Sequence, residues 1–461
     1  MRIAEASRQE AVARKQSVAE GCKYLNEPLV AATASCRLPP GYTCLVNPSS
    51  NSETSKGSGK SASVAHDLNA VARPQFGGIL AVIFVLVALT SLAVVNFLRT
   101  FKVRRDAPLE TLAPGLTLQR EVVHTPVEDI PILTIRADIR RGWKLRLVPA
   151  GDSVLDQKAV SQIASTYNAS NSNRAPIAVN GGFFAYGGAP VGAVKIGGEW
   201  LRLPWKNRTS IGWNDGSKPF IDNLSAQGWV RTPGGDIAVA NLNGWPSANA
   251  CALLTWRVGA SYAIKAGEVA ALLSSGKVMG VVSGGSVGLK KGLQVLVAGA
   301  QAPQKAQVAA LKVGESAQFQ VQATPERWNS TGTILGAGPR LVQGGAQKTT
   351  YVEEEFRPDV LARGPRTMIG IAKDGTLIIM VIEAWFNKIR GMTIDAAASE
   401  MQRAGAVEAI NLDGGSSTTM WVRGKTITAE SDLVQDKRII QKAAERREVG
   451  VANAVLLERD K

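Results

Sequence analysis

Ala409–Thr418 reads AINLDGGSST. A largely apolar run reaches Asn411, and Asp413-Gly414-Gly415 follows it directly. The run predicts a strand, with a carboxylate at its end. Glycines there let the backbone turn sharply or approach a ligand closely. Ser416, Ser417 and Thr418 add hydroxyls and N–H donors beside that carboxylate. Just upstream, Thr393–Gly405 (TIDAAASEMQRAG) predicts a helix. Thr393 suits its cap, Ile394, Ala397, Ala398 and Met401 fall on one face, and Gly405 suits its end.

A second stretch has the same character. Ile177–Phe184 reads IAVNGGFF, an apolar strand that ends in Asn180-Gly181-Gly182. Two further stretches echo one another, Asn207–Gly212 (NRTSIG) and Pro365–Gly370 (PRTMIG). Each is followed by Asp-Gly, at Asp215-Gly216 and Asp374-Gly375, as in a hairpin turn. Arg208 and Arg366 then hold related places on two strands, which hints at an old internal duplication. Alone, an Asn-Gly-Gly is ordinarily a turn and an Arg at a strand start is ordinarily on the surface. Their joint occurrence at strand ends, where ligand loops gather, points to a site.

Beyond Leu112 the chain is rich in short strands and glycine turns. Ile132–Ile139, Lys144–Val148 and runs between Gly267 and Pro325 alternate as strands do. Ser153–Asn168 carries helical periodicity through Val154, Val160, Ile163 and Ala164. The expected fold over 112–461 is one α+β domain, strand-rich, with a mixed sheet and a few helices.

Gly77–Leu98 (GGILAVIFVLVALTSLAVVNFL) is 22 residues without a charge, enough to cross about 30 Å of hydrocarbon as one helix. We therefore expect a weakly structured segment over 1–76, a transmembrane helix over 77–98, a linker over 99–111 and the domain thereafter. Asn47–Ser63 is a Ser/Gly/Asn tract that cannot bury a core. Orientation is contested. Arg99, Lys102, Arg104 and Arg105 argue locally for a cytoplasmic domain. Long domains translocate largely regardless of charge, and a lone N-terminal span suits a signal anchor. The expectation is an extracytoplasmic domain.

Composition narrows the chemistry. Of 461 residues, 45% are hydrophobic and 20% charged, which excludes a mainly disordered or fibrous chain. The net charge of +15 favours phosphate-bearing partners or anionic surfaces. Only two histidines occur, His66 and His124, so a His-dependent triad or His-rich zinc site has little to draw on. Acid–base work falls to carboxylates. Four cysteines are too few for a disulfide scaffold, and their spacing suits no zinc knuckle.

Together these motifs resemble the phosphodiester glycosidase domain family. The resemblance runs over about Pro114–Leu457. It rests on VNGGFF at 179–184, NRTSIG at 207–212, GAGPRLVQGG at 336–345, RTMIG at 366–370, GMTIDAAASEMQRAGAVEAINLDGGSSTTM at 391–420 and REVGVANAVLL at 447–457. Three departures stand out. Ser416 replaces the family's third glycine, Glu383 stands where an aspartate is usual, and TAESD at 428–432 only loosely matches the family's Pro-Ser-Asp turn. The resemblance implies hydrolysis of a sugar-1-phosphodiester at the glycosidic C1–O bond.

The residues suit that reaction. An oxocarbenium-like transition state needs a nearby carboxylate, and a phosphate leaving group needs charge neutralisation more than protonation. Asp413 is the main candidate, as nucleophile or general base, with Glu383 the second carboxylate. Arg208 and Arg366, with Arg340 behind them, are candidates for the phosphate. Asn180, Gly181, Gly182, Gly414, Gly415 and Ser416 are candidates for the sugar hydroxyls or phosphate. This reading assigns no definite cofactor. Asp413 could instead bind a divalent cation with hydroxyls or water, although no clustered ligand set is visible. The expected partners are a phosphorylated glycan and a membrane through 77–98, with no nucleic acid. The competing classes are a non-catalytic envelope protein that binds phosphorylated polysaccharide and a wall-assembly factor.

Overall fold

The computed structural model describes residues 104–384, 389–428 and 448–459. The segments read as 1–76 and 77–98 lie outside the described residues. Among those described, no helix is long and apolar enough to cross a membrane.

The strand Leu377–Ile382 (LIIMVI) shows how the main sheet is organised. Leu377, Ile379 and Val381 enter one hydrophobic core, and Ile378, Met380 and Ile382 enter another. A strand buried on both faces needs apolar residues at every position, so the run does not alternate with polar ones. Its sheet has nine strands among the described residues. The path runs Arg104–Asp106, Leu116–His124, Asp129–Ala137, Leu377–Ile382, Arg366–Ala372, Ala406–Asn411, Arg340–Gln343 and Ala346–Gln347, and Leu109–Ala113 pairs beside Leu116–His124. The sheet thus begins inside the stretch read as a linker.

One face is covered by the helix Ile394–Arg403 through Ile394, Ala397, Ala398 and Met401. Thr393 caps it, its Oγ1 accepting from Ala396 N at 3.2 Å, and Gly405 takes φ +86°. The other face meets a second sheet, in the order Lys425–Thr426, Met420–Val422, Ile177–Asn180, Asn453–Arg459 and Trp143–Pro149. Residues of a third sheet, Ile211, Trp213, Ile221 and Leu335, share that core. In the third sheet, Arg208–Trp213 lies between Phe220–Thr232 and Thr333–Gly336. Strands between 241 and 298 form a further five-stranded sheet, one face of which shares a core with Val230, Ile237 and Val239 of the third sheet.

Every named pairing is antiparallel except Asn241–Leu242 with Cys251–Thr255. The mixed character expected of the sheet is confined to that short parallel pair. Both Arg-Thr strands open hairpins, as their Asp-Gly turns require. Arg208–Trp213 pairs with Phe220–Thr232, and Arg366–Ala372 pairs with Leu377–Ile382, with Gly216 at φ +77° and Gly375 at φ +89°.

The helix expected over Ser153–Asn168 starts later, at Val160. Ser153 and Asp156 take up local backbone groups instead. Ser153 N donates to Asp156 Oδ2 at 3.1 Å, and Leu155 N donates to Ser153 Oγ at 3.1 Å. Such short side-chain bonds favour a turn over a helix. Val154, on the expected apolar face, is still buried, but from that turn.

Candidate active site

The two Gly-Gly loops meet. Asn180 is the last residue of its strand and is fully buried. Its Nδ2 donates to the main-chain oxygen of Asp413 at 2.6 Å. Its Oδ1 accepts from Thr367 Oγ1 at 2.6 Å and from Thr419 N at 3.2 Å. In return, Asp413 N donates to Gly181 O at 3.0 Å. One amide therefore joins the ends of three strands.

The glycines serve that junction. A Cβ at Gly182 would lie 2.8 Å from Gly336 O, and one at Gly414 would lie 2.7 Å from Pro365 O. At Gly181 it would collide with the Asn453 side chain. Only glycine lets these chains pass so closely. The N–H groups of Gly181 and Gly182 were expected to face a ligand. They are bonded to Asn453 instead, to its O at 3.0 Å and its Oδ1 at 3.1 Å. Gly414 N donates to Asp413 Oδ1 at 3.0 Å and Gly415 N to Pro365 O at 3.1 Å. Gly415 is exposed and Ser416 half-buried, at the open side of the loop.

Burial pushes the Asp413 carboxyl up to about 7, against opposing hydrogen bonds from Ser417 and Gly414 N–H. Asp413 still keeps partial access to solvent. A carboxyl that gains and loses its proton near neutrality is suited to acid–base work.

Glu383 lies at the same sheet end. Arg366 pairs with Ile382, Leu412 N donates to Thr367 O at 2.8 Å, and Glu383 N donates to Pro131 O at 3.0 Å. Glu383 and Asp413 are thus two strand spacings apart, about 10 Å between backbones. Strand parity puts Glu383 on the face of Val381 and Thr367, the face of Asn180. Glu383 is buried.

Two of the three candidate arginines have other work. Thr367 faces Asn180, so its neighbour Arg366 must project from the opposite face of the sheet. There its Nε donates to Met392 O at 3.0 Å and its Nη1 to Val360 O at 2.7 Å, while its Nη2 donates to Ala362 O. Burial lowers its pKa to about 10. Arg340 is buried as well. Its guanidinium pairs with Glu408 at 2.6 Å and Asp222 at 3.4 Å and donates to Ile221 O at 3.2 Å. Both side chains are tied into the protein rather than turned toward Asp413.

Arg208 differs. It is half-buried, and its Nε and Nη2 donate only to main-chain oxygens, of Glu354 at 3.2 Å and Glu355 at 3.3 Å. Two of its five N–H groups are thereby used. Its guanidinium lies 4.0 Å from the Phe356 ring centre and 5.6 Å from that of Trp205. Among the described residues, no carboxylate forms an ion pair with it. Burial lowers its pKa, partly offset by Glu354 and Glu355. Arg208 lines a recess with Phe183, Trp205, Lys206, Gly336 and Ala337. Phe183 directly follows the Asn180–Gly182 loop. Ala337 N donates to Thr209 O at 3.2 Å and Gly338 N to Asn411 O at 2.9 Å, which ties the Arg208 strand to the Asp413 strand.

Sequence reading missed Glu354, although its carboxylate orders this region. It accepts from Thr209 N at 2.9 Å, Thr209 Oγ1 at 2.6 Å, Arg340 N at 3.1 Å and the Thr350 hydroxyl. Asn453 was missed too, inside an apolar terminal strand. No group of three or more His, Cys, Asp or Glu side chains among the described residues is placed to hold a metal ion.

Residues 259–457 match the phosphodiester glycosidase family. The resemblance seen in the motifs therefore holds for that stretch. It includes Arg366, Glu383 and Asp413, and the VNGGFF and NRTSIG motifs precede it. The phosphodiester glycosidases are glycosidase-type hydrolases. No curated protein sequence matches the chain. Among solved structures, a hypothetical protein from Synechocystis shares 24% identity at a TM-score of 0.64, over 77% of this chain and 64% of that one. A Burkholderia pseudomallei protein shares 19% identity at a TM-score of 0.58, over 74% of this chain and 76% of that one. These two establish the fold. The catalytic domain of zebrafish N-acetylglucosamine-1-phosphodiester alpha-N-acetylglucosaminidase aligns at 14% identity and a TM-score of 0.42, over 79% of this chain and 91% of that one, too weak a likeness to reason from.

Proposed function

We propose that this protein is a hydrolase that cleaves the C1–O bond of a sugar-1-phosphodiester, in cell-envelope or exopolysaccharide metabolism. Water adds at C1, and the phosphate leaves as a monoester. The observation that carries the reading is Arg208, a half-buried cation with no carboxylate ion pair among the described residues, on a strand that Ala337 and Gly338 tie to the strand leading into Asp413. A guanidinium with unspent N–H groups suits a phosphate diester. Asp413 acts at C1 as nucleophile or general base, with Glu383 the second carboxylate. A phosphate monoester is a weakly basic leaving group, so an ionised Asp413 is the active form. Arg366 and Arg340 act as positioning residues, and Ser416 and Gly415 border the sugar.

The domain is anchored through 77–98 and lies outside the cytoplasm in this proposal. The apolar segment and the domain's length support that placement. Protease added to intact cells or spheroplasts should digest the domain; protection until lysis would place it inside.

The activity is tested by incubating the full-length chain with a panel of sugar-1-phosphodiesters and assaying free sugar, with Asp413→Asn as control. Sugar release lost in the variant supports the assignment. Binding of phosphorylated polysaccharide without release by the wild type would favour the non-catalytic alternative.

A further inference from the structure

Between 241 and 317 the chain holds six lysines and Arg257 against two carboxylates, Glu268 and Glu315. Four of the lysines gather at one end of the five-stranded sheet. Ser274 ends its strand there, paired with Lys277 on one side and Leu293 on the other. The turn before Leu293 carries Lys290 and Lys291, and Leu293 N closes it on Lys290 O at 3.0 Å. Lys277 bridges to Ser316, and Gly314 N donates to Val278 O at 2.8 Å, which brings in the turn of Lys312. Thr255 pairs with Gln294, so Trp256 belongs to the same end, and Lys291 Nζ lies 4.7 Å from its ring centre.

Lys277, Lys290, Lys291 and Lys312 are all exposed, and among the described residues no carboxylate forms an ion pair with any of them. Arg257 is met by Glu199 at 2.9 Å. Glu315 accepts from Lys312 N at 2.9 Å, so four lysines stand against one carboxylate in these turns. Val313, in the Lys312 turn, is 74% exposed.

We propose that this end of the sheet docks on an anionic lipid bilayer. Unpaired lysines gathered on one surface are attracted to anionic headgroups. A lysine is a point charge on a flexible stem, without the planar fork with which arginine fixes one phosphate, so the patch suits a field of headgroups better than a single bound group. Val313 and the half-buried Trp256 add apolar surface among these charges. A bilayer interface takes up such side chains, whereas a soluble polyanion leaves them in water. This contact is separate from the anchor proposed through 77–98, which would hold the chain on neutral lipid as well.

The test is amide hydrogen exchange of the full-length chain on vesicles of phosphatidylcholine, with and without phosphatidylglycerol. On the anionic vesicles, the segments 274–278, 289–293 and 311–316 should exchange about fivefold or more slowly than on the neutral ones. High salt should remove the difference, because it screens exposed charges. A variant with Lys277, Lys290, Lys291 and Lys312 all changed to Gln should lose it too, while exchange over Arg366–Ala372 reports that its fold is kept. No association with the anionic vesicles, equal exchange on the two lipids, or undiminished protection in the variant would each overturn the proposal. Protection by soluble polyphosphate but not by anionic lipid would overturn it as well, and would assign the patch to a soluble polyanion. No sugar is released in any of these measurements, so the docking stands or falls apart from the hydrolase reading.

Discussion

The side-chain amide of Asn180 and the main-chain oxygen of Asp413 are 2.6 Å apart, although the residues stand 233 positions apart in sequence. The bond fixes the backbone at Asp413 while leaving its carboxylate to Ser417, Gly414 and solvent. Because Asn180 also accepts from Thr367 and Thr419, its amide serves three partners at a dry junction.

Asn180→Ala should therefore destabilise the domain. It leaves the Asp413 oxygen, the Thr367 hydroxyl and the Thr419 N–H without partners. Each unsatisfied buried group costs about 1–3 kcal/mol, so a total loss of about 3 kcal/mol or more is expected. The midpoint of urea unfolding measures it. An unchanged midpoint would mean that water replaces the amide.

The arginines separate two kinds of role. Arg366→Lys should lower stability by about 1–3 kcal/mol, because one ammonium cannot serve three carbonyls in a fixed fork. Arg208→Lys should leave the melting temperature within a few degrees and raise KM for a phosphodiester about tenfold or more. Paired melting and kinetic measurements on both variants decide this. The same kinetic defect in both, with neither destabilised, would return Arg366 to the phosphate.

Much of the fold could be read from the chain because apolar spacing reports which face is covered. Ile394, Ala397, Ala398 and Met401 marked their helix, and the Asp-Gly pairs marked both hairpins. The convergence of the two glycine loops was legible for a similar reason, since polar groups at strand ends gather where sheets stop. The side-chain direction of Arg366 was not. It becomes clear only once Thr367 is known to face Asn180, because parity then sends its neighbour the other way. Glu354 was hidden differently. It sits in Tyr351–Phe356 (YVEEEF), where three acidic residues in a row look like a solvated loop. Its partners Thr209 and Arg340 come from distant strands, so no local pattern announces it.

Glu354→Gln offers a sharp test of that buried carboxylate. Four donors converge on its two oxygens, and an amide keeps only one oxygen while adding two donors of its own. The N–H of the amide would face the groups that now donate. A loss of about 2–4 kcal/mol is expected from the unpaired donors. Phosphodiester KM should also rise, because Glu354 O and Glu355 O hold Arg208 in place. Thermal melting alongside steady-state kinetics would check both, and a variant as stable as wild type would mean the carboxylate is not what orders the loop.

Asp413→Asn should separate catalysis from stability through pH. In the folded chain the carboxyl titrates at about 7, against an ordinary value of 3.8. Below about pH 4 both folded and unfolded forms hold the proton, and the wild type has its full stability. Between about 4 and 7 the unfolded chain releases the proton while the folded chain keeps it, so stability falls by up to about 1.4 kcal/mol per pH unit. Above 7 the loss is complete and flat. The asparagine variant lacks this titration. Its stability relative to wild type should therefore grow from pH 4 to pH 7 and stay constant beyond, as read from urea unfolding at pH 4, 6 and 8. Activity should run the opposite way. If the ionised carboxylate is the working form, wild-type kcat/KM rises with an apparent pKa of about 7, while the variant stays at background throughout. Parallel stability curves for the two proteins would show that Asp413 is not held in a desolvating site. A rate that instead falls as pH rises through 7 would make it a proton donor.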